Sequence, residues 1–174
     1  MTVGIIGSGA IGAAFARTLA RIGIPATIAN SRGPDSLQAL VHELGPSIKA
    51  GTREEAARAE VVFIAVNWTK LPAALAGLPD WNGRIVIDAY NPIEAPLFKP
   101  VDLDGRVSSE VFADLVPGAR VVKAFNHLRA EVLAGDPKAD GGRRVLFYSG
   151  NDNAAKAKVA ALIGQIGFVG IDLG

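Results

Sequence analysis

The stretch TVGIIGSGAIG, Thr2–Gly12, decides the fold of this chain. Its first half is a compact apolar run that ends in glycine, which is typical of a buried parallel strand. Its second half spaces Gly7, Gly9 and Gly12 as G-x-G-x-x-G. Apolar residues recur at helical spacing from Ala10 onward, so the glycines join a strand to a helix. That is the context in which this spacing indicates a phosphate-binding turn.

Strands and helices alternate along the rest of the chain. Short apolar runs bounded by turn residues predict eight strands, which are Thr2–Gly7, Pro25–Asn30, Ser47–Gly51, Val61–Val66, Arg84–Tyr90, Arg120–Asn126, Arg144–Gly150 and Phe168–Leu173. Amphipathic stretches between them predict helices, which are Ala10–Ile22, Leu37–Leu44, Thr52–Glu60, Leu71–Ala76, Ser108–Val116 and Val159–Ile166. The alternation predicts an α/β fold with a doubly wound, mostly parallel, Rossmann-like sheet of about eight strands. We expect a single domain over residues 1–174.

Two capping-box patterns predict where helices begin. Asp35 is followed three residues later by Gln38, and Thr52 is followed three residues later by Glu55. In such a pair the first side chain accepts from the backbone N–H of the second residue, and the second side chain accepts in return.

Composition excludes several classes of function. The 174 residues include 18 basic and 17 acidic side chains, a net charge of +1, so no basic surface predicts a nucleic-acid partner. Cysteine is absent, which excludes disulfides and thiolate metal ligands, and two histidines make a metal site an unfavoured interpretation. The chain carries neither an apolar run long enough to cross a bilayer nor a secretory signal, so we expect a cytoplasmic protein without a membrane partner.

The glycine spacing predicts how a dinucleotide would bind. Gly7 allows a tight turn, Gly9 lets the backbone approach a pyrophosphate, and Gly12 lets the helix pack close to its strand. The start of the helix then offers unpaired N–H groups and the positive end of its dipole to the phosphates.

The residues after the second predicted strand indicate which dinucleotide is bound. A fold of this type that binds NAD carries an acidic residue here for the ribose 2′-hydroxyl, whereas this chain has Asn30, Ser31 and Arg32. A carboxylate would repel a 2′-phosphate, whereas the Arg32 guanidinium and the Ser31 hydroxyl can donate hydrogen bonds to it. The alternative interpretation is that Arg32 is a solvated surface residue on a loop. We predict that the cofactor is NADP(H) and that Asn30, Ser31 and Arg32 bind it.

Several stretches together resemble one family. They are Gly4–Gly12, Asn30–Leu37, Asp88–Ile93, Ala119–Asn126, Gly150–Val159 and Gly167–Gly174. On these the chain resembles the NADPH:coenzyme F420 oxidoreductases and their relatives, which include the NADPH-binding domain of transmembrane metalloreductases. The stretch VVKAFN is the most specific, because a generic dinucleotide-binding fold gives no reason for Lys123 and Asn126 at that spacing. The resemblance implies hydride transfer between NADPH and a second planar redox cofactor, F420 or a flavin.

The resemblance also implies a set of NADP contacts. In this sequence they fall on Ser8, Gly9, Ala10, Ile11, Ser31, Arg32, Val66, Asn67 and Trp68. Two positions depart from the family pattern, because Asn67 stands where many relatives have proline and His127 stands where a hydroxyl residue is commoner. The resemblance further implies a homodimer.

Other candidates each have two interpretations. Asn91 and Asn126 follow predicted strands and would hydrogen-bond the nicotinamide amide or the acceptor ring, or would cap backbone at a strand end. Trp68 would stack on a cofactor ring or cover the sheet as a core residue. His127 would protonate a reduced acceptor, although hydride transfer between two organic cofactors needs no protein acid. Lys123 would pair with a carboxylate or extend its amine to solvent, or belong to the site.

The sequence therefore predicts an NADPH-dependent oxidoreductase with a small-molecule redox acceptor. F420 or a flavin is the favoured acceptor, and an imine, a quinone or a metal chelate is a variant within the same enzyme class. The alternative function is a non-catalytic NADP(H)-binding sensor or partner-docking module, because one Rossmann-like domain leaves little chain for a substrate domain.

Overall fold

The computed structural model describes residues 1–94 and 97–174, and within them it contains ten strands and seven α-helices. The strands are β1 (Val3–Ile6), β2 (Ala26–Ala29), β3 (Ile48–Ala50), β4 (Val61–Ile64), β5 (Ile85–Asp88), β6 (Ile93–Glu94), β7 (Lys99–Pro100), β8 (Arg120–Ala124), β9 (Val145–Ser149) and β10 (Val169–Asp172). The helices are α1 (Ala10–Arg21), α2 (Gln38–Leu44), α3 (Arg53–Ala57), α4 (Leu71–Leu75), α5 (Ser108–Asp114), α6 (Ala130–Ala134) and α7 (Asn153–Gln165). Short 3₁₀ helices cover Pro34–Leu37, Trp68–Lys70 and Ala139–Gly141.

Over the described ranges, eight strands form one sheet in the order β3-β2-β1-β4-β5-β8-β9-β10. Neighbouring strands pair in parallel, except that β8 and β9 are antiparallel. Strands β6 and β7 form a separate antiparallel hairpin. The predicted Rossmann-like, mostly parallel sheet of eight strands is confirmed.

Helices cover both faces of the sheet and bury two apolar cores. Residues of α1, α2, α6 and α7 pack on one face, and residues of α3, α4 and α5 pack on the other. Three rings meet in the first core, where Phe15 stacks on Phe63 at 4.1 Å and Phe125 approaches both at 5.3 Å between ring centroids. The sheet is therefore doubly wound, as its alternating sequence pattern predicts.

The topology opens a crevice between β1 and β4. These strands are neighbours, yet the chain continues from β1 to β2 on one side and from β4 to β5 on the other. At such a switch point the loops after the two strands diverge, and a ligand can lie between them.

Close backbone packing holds the elements around this crevice. A Cβ atom on Gly12 would lie 1.9 Å from the Gly7 carbonyl oxygen, and one on Gly4 would lie 1.9 Å from the Ala56 carbonyl oxygen. Gly7 itself has φ +110°, which disfavours any residue with a side chain, and its Cβ would lie 2.2 Å from the Ala65 carbonyl oxygen. Helices α1 and α3 can therefore pack this closely only because these positions are glycine.

The two predicted capping boxes differ in outcome. The Thr52 hydroxyl accepts from Glu55 N at 3.2 Å, and the Glu55 carboxylate accepts from Thr52 N at 2.8 Å, as predicted. The box at Asp35 and Gln38 is wrong. A 3₁₀ helix already begins at Pro34, so Asp35 lies inside a helix rather than before it. The sequence patterns also missed α6 and the β6–β7 pair. These elements have only five and two residues, and α6 lacks the capping box that marks the equally short α3.

Gly4→Ala is predicted to destabilise the protein by about 1–3 kcal/mol, because its methyl group would overlap a backbone carbonyl that cannot rotate away. Gly164→Ala inside α7 is the matched control, since a Cβ there meets nothing within 4 Å. The control should stabilise the protein by roughly 0.5–1 kcal/mol. Urea unfolding of both variants measures the difference, and equal midpoints would contradict the packing argument.

Candidate functional site

A cavity of about 560 Å³ occupies the crevice at the carboxyl ends of β1, β2, β4 and β5. Ten residues predicted for cofactor binding line it, namely Gly7, Ser8, Gly9, Ala10, Ile11, Asn30, Ser31, Arg32, Val66 and Asn67. They come from three separate stretches of chain, which the parallel strands bring to one edge of the sheet. The predictions for Gly12, Trp68, Asn91 and Asn126 fall on residues outside this lining.

The glycine loop presents the start of α1 to the cavity. Gly9 is the N-cap residue of α1, no side chain caps the helix there, and its first turn carries no acidic residue. A Cβ on Gly9 would meet no atom within 4 Å, so the space beside this residue is open. The first N–H groups of a 12-residue helix are therefore available to an anion, with the positive end of the helix dipole behind them. Gly12 lies beneath the loop and acts through packing.

Asn30 organises the loop after β2. Its amide nitrogen donates to the hydroxyls of Ser8 at 3.1 Å and Ser36 at 3.0 Å, and its oxygen accepts from Arg32 N at 2.9 Å. The side chain thus ties the glycine loop to the Ser31–Ser36 turn. Asn30 was predicted as a direct cofactor ligand, but its polar atoms are engaged by protein groups, so its geometry fits a residue that positions Ser31 and Arg32.

The cavity lining is basic. It contains Arg32, Arg53 and Lys70, and none of the described residues that line it is acidic. The Arg53 guanidinium donates to the carbonyls of Ala73 at 2.9 Å and Ala74 at 3.0 Å, which connects α3 to α4. Sequence reasoning missed Arg53 and Lys70, although each follows a predicted strand at the carboxyl edge. An anionic ligand would be attracted to this cavity.

The opposite end of the cavity is formed by Val66, Asn67 and Tyr90. The Tyr90 hydroxyl donates to Asn67 Oδ1 at 3.0 Å, and burial raises the pKa of this phenol above its usual value of 10.0. Tyr90 therefore stays protonated at neutral pH and remains a hydrogen-bond donor. It was missed because its place beside Asn67 depends on the pairing of β4 with β5.

Asn91 and Asn126 hydrogen-bond to each other instead of lining the cavity. Asn91 Nδ2 donates to the Asn126 carbonyl at 2.8 Å, and Asn126 Nδ2 donates to Asn91 Oδ1 at 3.1 Å. The pair joins the loops after β5 and β8, which corresponds to the backbone-capping interpretation. Trp68 is only 7% exposed and packs in the core beneath α4, so its ring covers the sheet.

Lys123 forms a buried ion pair with Asp88. Its ammonium lies 2.8 Å from Asp88 Oδ2, across neighbouring strands β8 and β5. The Asp88 side chain is fully buried, and this burial raises the pKa of its carboxyl even though Lys123 acts in the opposite direction. Of the interpretations for Lys123, the structure agrees with carboxylate pairing.

His127 contacts β9. The Phe147 N–H donates to its Nε2 at 3.4 Å, and the two rings lie 5.4 Å apart. Partial burial is the main cause that lowers the pKa of His127 below 6.5, while a hydrogen bond with the Val145 backbone opposes it. His127 does not line the cavity.

Neither a metal centre nor a membrane span is found in residues 1–94 and 97–174. The described side chains include no group of three histidine, aspartate or glutamate residues placed to hold a metal ion. No helix in this part of the chain is both long enough and apolar enough to cross a membrane.

The sheet order and the glycine loop define a Rossmann-like protein, with a basic cavity at the switch point of its sheet. The family model described as "NADP oxidoreductase coenzyme F420-dependent" matches residues 2–92. The chain therefore belongs to this family of oxidoreductases, and the resemblance in the sequence is confirmed.

Individual relatives agree with this assignment. A hypothetical protein of Sinorhizobium meliloti, SMa0349, has 50% identity and a TM-score of 0.94, over 100% of this chain and 85% of that one. A candidate F420-dependent NADP-reductase of Arthrobacter sp. FB24 has 32% identity and a TM-score of 0.83, over 100% and 84% of the two chains. Metalloreductase STEAP3 of Rattus norvegicus is 33% identical over 175 residues, which cover 99% of this chain. The chain spans about a third of the length of that curated relative, 33%.

His127→Gln is predicted to change how stability depends on pH. A folded-state pKa below 6.5 means that folding favours the neutral imidazole, so this contribution is present above pH 6.5 and is lost as the pH falls through the folded value. Glutamine keeps an acceptor for the Phe147 N–H but does not titrate. The wild-type melting temperature minus that of the variant should be larger at about pH 8 than at about pH 5. An identical difference at both pH values would contradict the assignment.

Proposed function

We propose that the protein is an oxidoreductase that transfers a hydride between NADPH and a deazaflavin (F420) or flavin-like acceptor. The observation that carries the proposal is the basic, acid-free lining that joins the glycine loop to Ser31 and Arg32. This lining suits a dinucleotide with an additional 2′-phosphate and disfavours one recognised through a carboxylate. Membership of an NADP oxidoreductase family supports the same conclusion.

The residues along the crevice favour one orientation of the bound dinucleotide. Its pyrophosphate would accept hydrogen bonds from the N–H groups at the start of α1. Its 2′-phosphate would contact Arg32 and Ser31, which Asn30 holds in place. Its nicotinamide half would then extend over the ends of β4 and β5, because the two halves of such a sheet bind the two halves of the dinucleotide.

The chemistry of the bound pair is hydride transfer from the reduced nicotinamide to a planar acceptor ring. The protein's own residues bind and orient the cofactor, and the wall at Val66 and Asn67 limits where its reactive end can lie. The described lining residues include no carboxylate and no histidine, and a hydride transfer between two organic cofactors needs no obligatory protein acid or base.

Arg32→Ala is predicted to weaken NADPH binding by about 10–100-fold, because one charge-assisted contact with the 2′-phosphate is lost. NADH has no 2′-phosphate, so its affinity should barely change. Arg17→Ala is the matched control, since it removes one positive charge from a surface pair with Glu43. Calorimetric titration measures all four affinities, and equal losses for NADPH and NADH would refute the role of Arg32.

The acceptor is tested by mixing the NADPH-saturated protein with F420, FMN and FAD while absorbance at 340 nm is followed. We expect loss of absorbance with F420 or one flavin. Tight NADPH binding without oxidation by any of these acceptors would contradict the proposed activity. That result would favour the alternative function of an NADP(H)-binding sensor or a module that docks a partner.

A further inference from the structure

Tyr90 is held at three points although it lies on the loop after β5. Its backbone N–H donates to Asp88 Oδ1 at 3.2 Å, and its carbonyl accepts from the Lys123 ammonium at 2.5 Å. Its phenol hydroxyl donates to Asn67 Oδ1 at 3.0 Å. Backbone and side chain are therefore both restrained, in a residue that lines the cavity.

The restraint on the backbone comes from the buried ion pair. The side chains of Asp88 and Lys123 are 0% and 16% exposed, and the two residues are directly paired across β5 and β8. A buried ion pair contributes little net stability, because desolvation of the two charges offsets their attraction. Both members of this pair also hydrogen-bond the backbone of Tyr90, because Asp88 accepts from its N–H and Lys123 donates to its carbonyl. The pair therefore restrains Tyr90 in addition to any contribution it makes to stability.

We infer that Tyr90 contacts the nicotinamide half of the dinucleotide, and that the Asp88–Lys123 pair is a positioning device that holds Tyr90 against it. This inference rests on the proposed function. Tyr90 stands after β5, in the half of the sheet that would receive the nicotinamide, whereas Arg32 stands after β2 in the other half.

The hydrogen bond to Asn67 adds a second consequence. Because the phenol occupies Asn67 Oδ1, the amide nitrogen of Asn67 is oriented as a donor. A carboxamide oxygen on the nicotinamide is an acceptor that this donor can serve. The raised pKa of Tyr90 supports this arrangement, since the phenol must stay protonated to donate.

The test compares NADPH with adenosine 2′,5′-bisphosphate, which keeps the 2′-phosphate end and lacks the nicotinamide. Tyr90→Ala is expected to weaken NADPH binding about tenfold and to leave adenosine 2′,5′-bisphosphate binding unchanged. Tyr90→Phe keeps the ring but frees Asn67, so its loss of NADPH affinity should be smaller, about threefold. Both affinities are measured by calorimetric titration.

Lys123→Met tests the positioning device. It should reproduce the selective loss of NADPH affinity, because the Tyr90 carbonyl loses its donor. Lys156→Met is the matched control, since the largely buried Lys156 also pairs with a carboxylate, that of the more exposed Asp172 at 3.1 Å, and does not line the cavity. The control should leave both affinities unchanged. Should Lys123→Met fail to fold, the Tyr90 variants decide the inference.

Equal losses for the two ligands in Tyr90→Ala, or no loss for NADPH, would overturn the inference while leaving the proposed function intact. Wild-type protein that binds adenosine 2′,5′-bisphosphate and NADPH with equal affinity would also overturn it, because the nicotinamide would then make no contact. Wild-type protein that binds neither ligand would overturn the proposed function itself.

Discussion

The contact between Gly12 and the Gly7 carbonyl is the constraint on which the rest of the site depends. With only hydrogen at Gly12, the first turn of α1 packs against the end of β1, where a methyl group would lie 1.9 Å from that oxygen. This packing places the unpaired N–H groups of α1 at the switch point between β1 and β4. The same contact therefore also determines the geometry of the site, because an α1 helix displaced outward would direct its N–H groups away from the cavity.

The cavity is cationic at its end near β2 and mainly apolar at its end near β5. Toward β2 the lining is cationic, with Arg32 on a turn that Asn30 holds by hydrogen bonds to both Ser8 and Arg32. Toward β5 it ends at Val66 and Tyr90, which offer an apolar surface, and at Asn67, whose amide nitrogen is oriented as a donor by the Tyr90 hydroxyl. An extended ligand with phosphates at one end and a planar ring at the other matches this gradient, and would be bound in a single orientation.

Two pairs of polar residues outside the cavity restrain the wall that the loop after β5 forms. The Asp88–Lys123 pair and the Asn91–Asn126 pair both connect β5 and its loop to β8 and its loop. None of these four residues lines the cavity, and the charged pair has a desolvation cost that a pair of apolar residues would avoid. Both pairs therefore restrain the loop after β5, where residues 89–92 belong to no helix or strand.

The sequence by itself determined the eight strands, the strand–glycine–helix turn and the Asn30-Ser31-Arg32 stretch after β2, because each is a local pattern of periodicity or spacing within a few residues. Only the tertiary structure decided where the side chains of Tyr90, Arg53 and Trp68 lie. Whether a side chain after a strand meets the cavity, a neighbouring loop or the core depends on which strands are adjacent and how far each loop turns. Those are contacts between residues distant in the chain, and no local pattern encodes them.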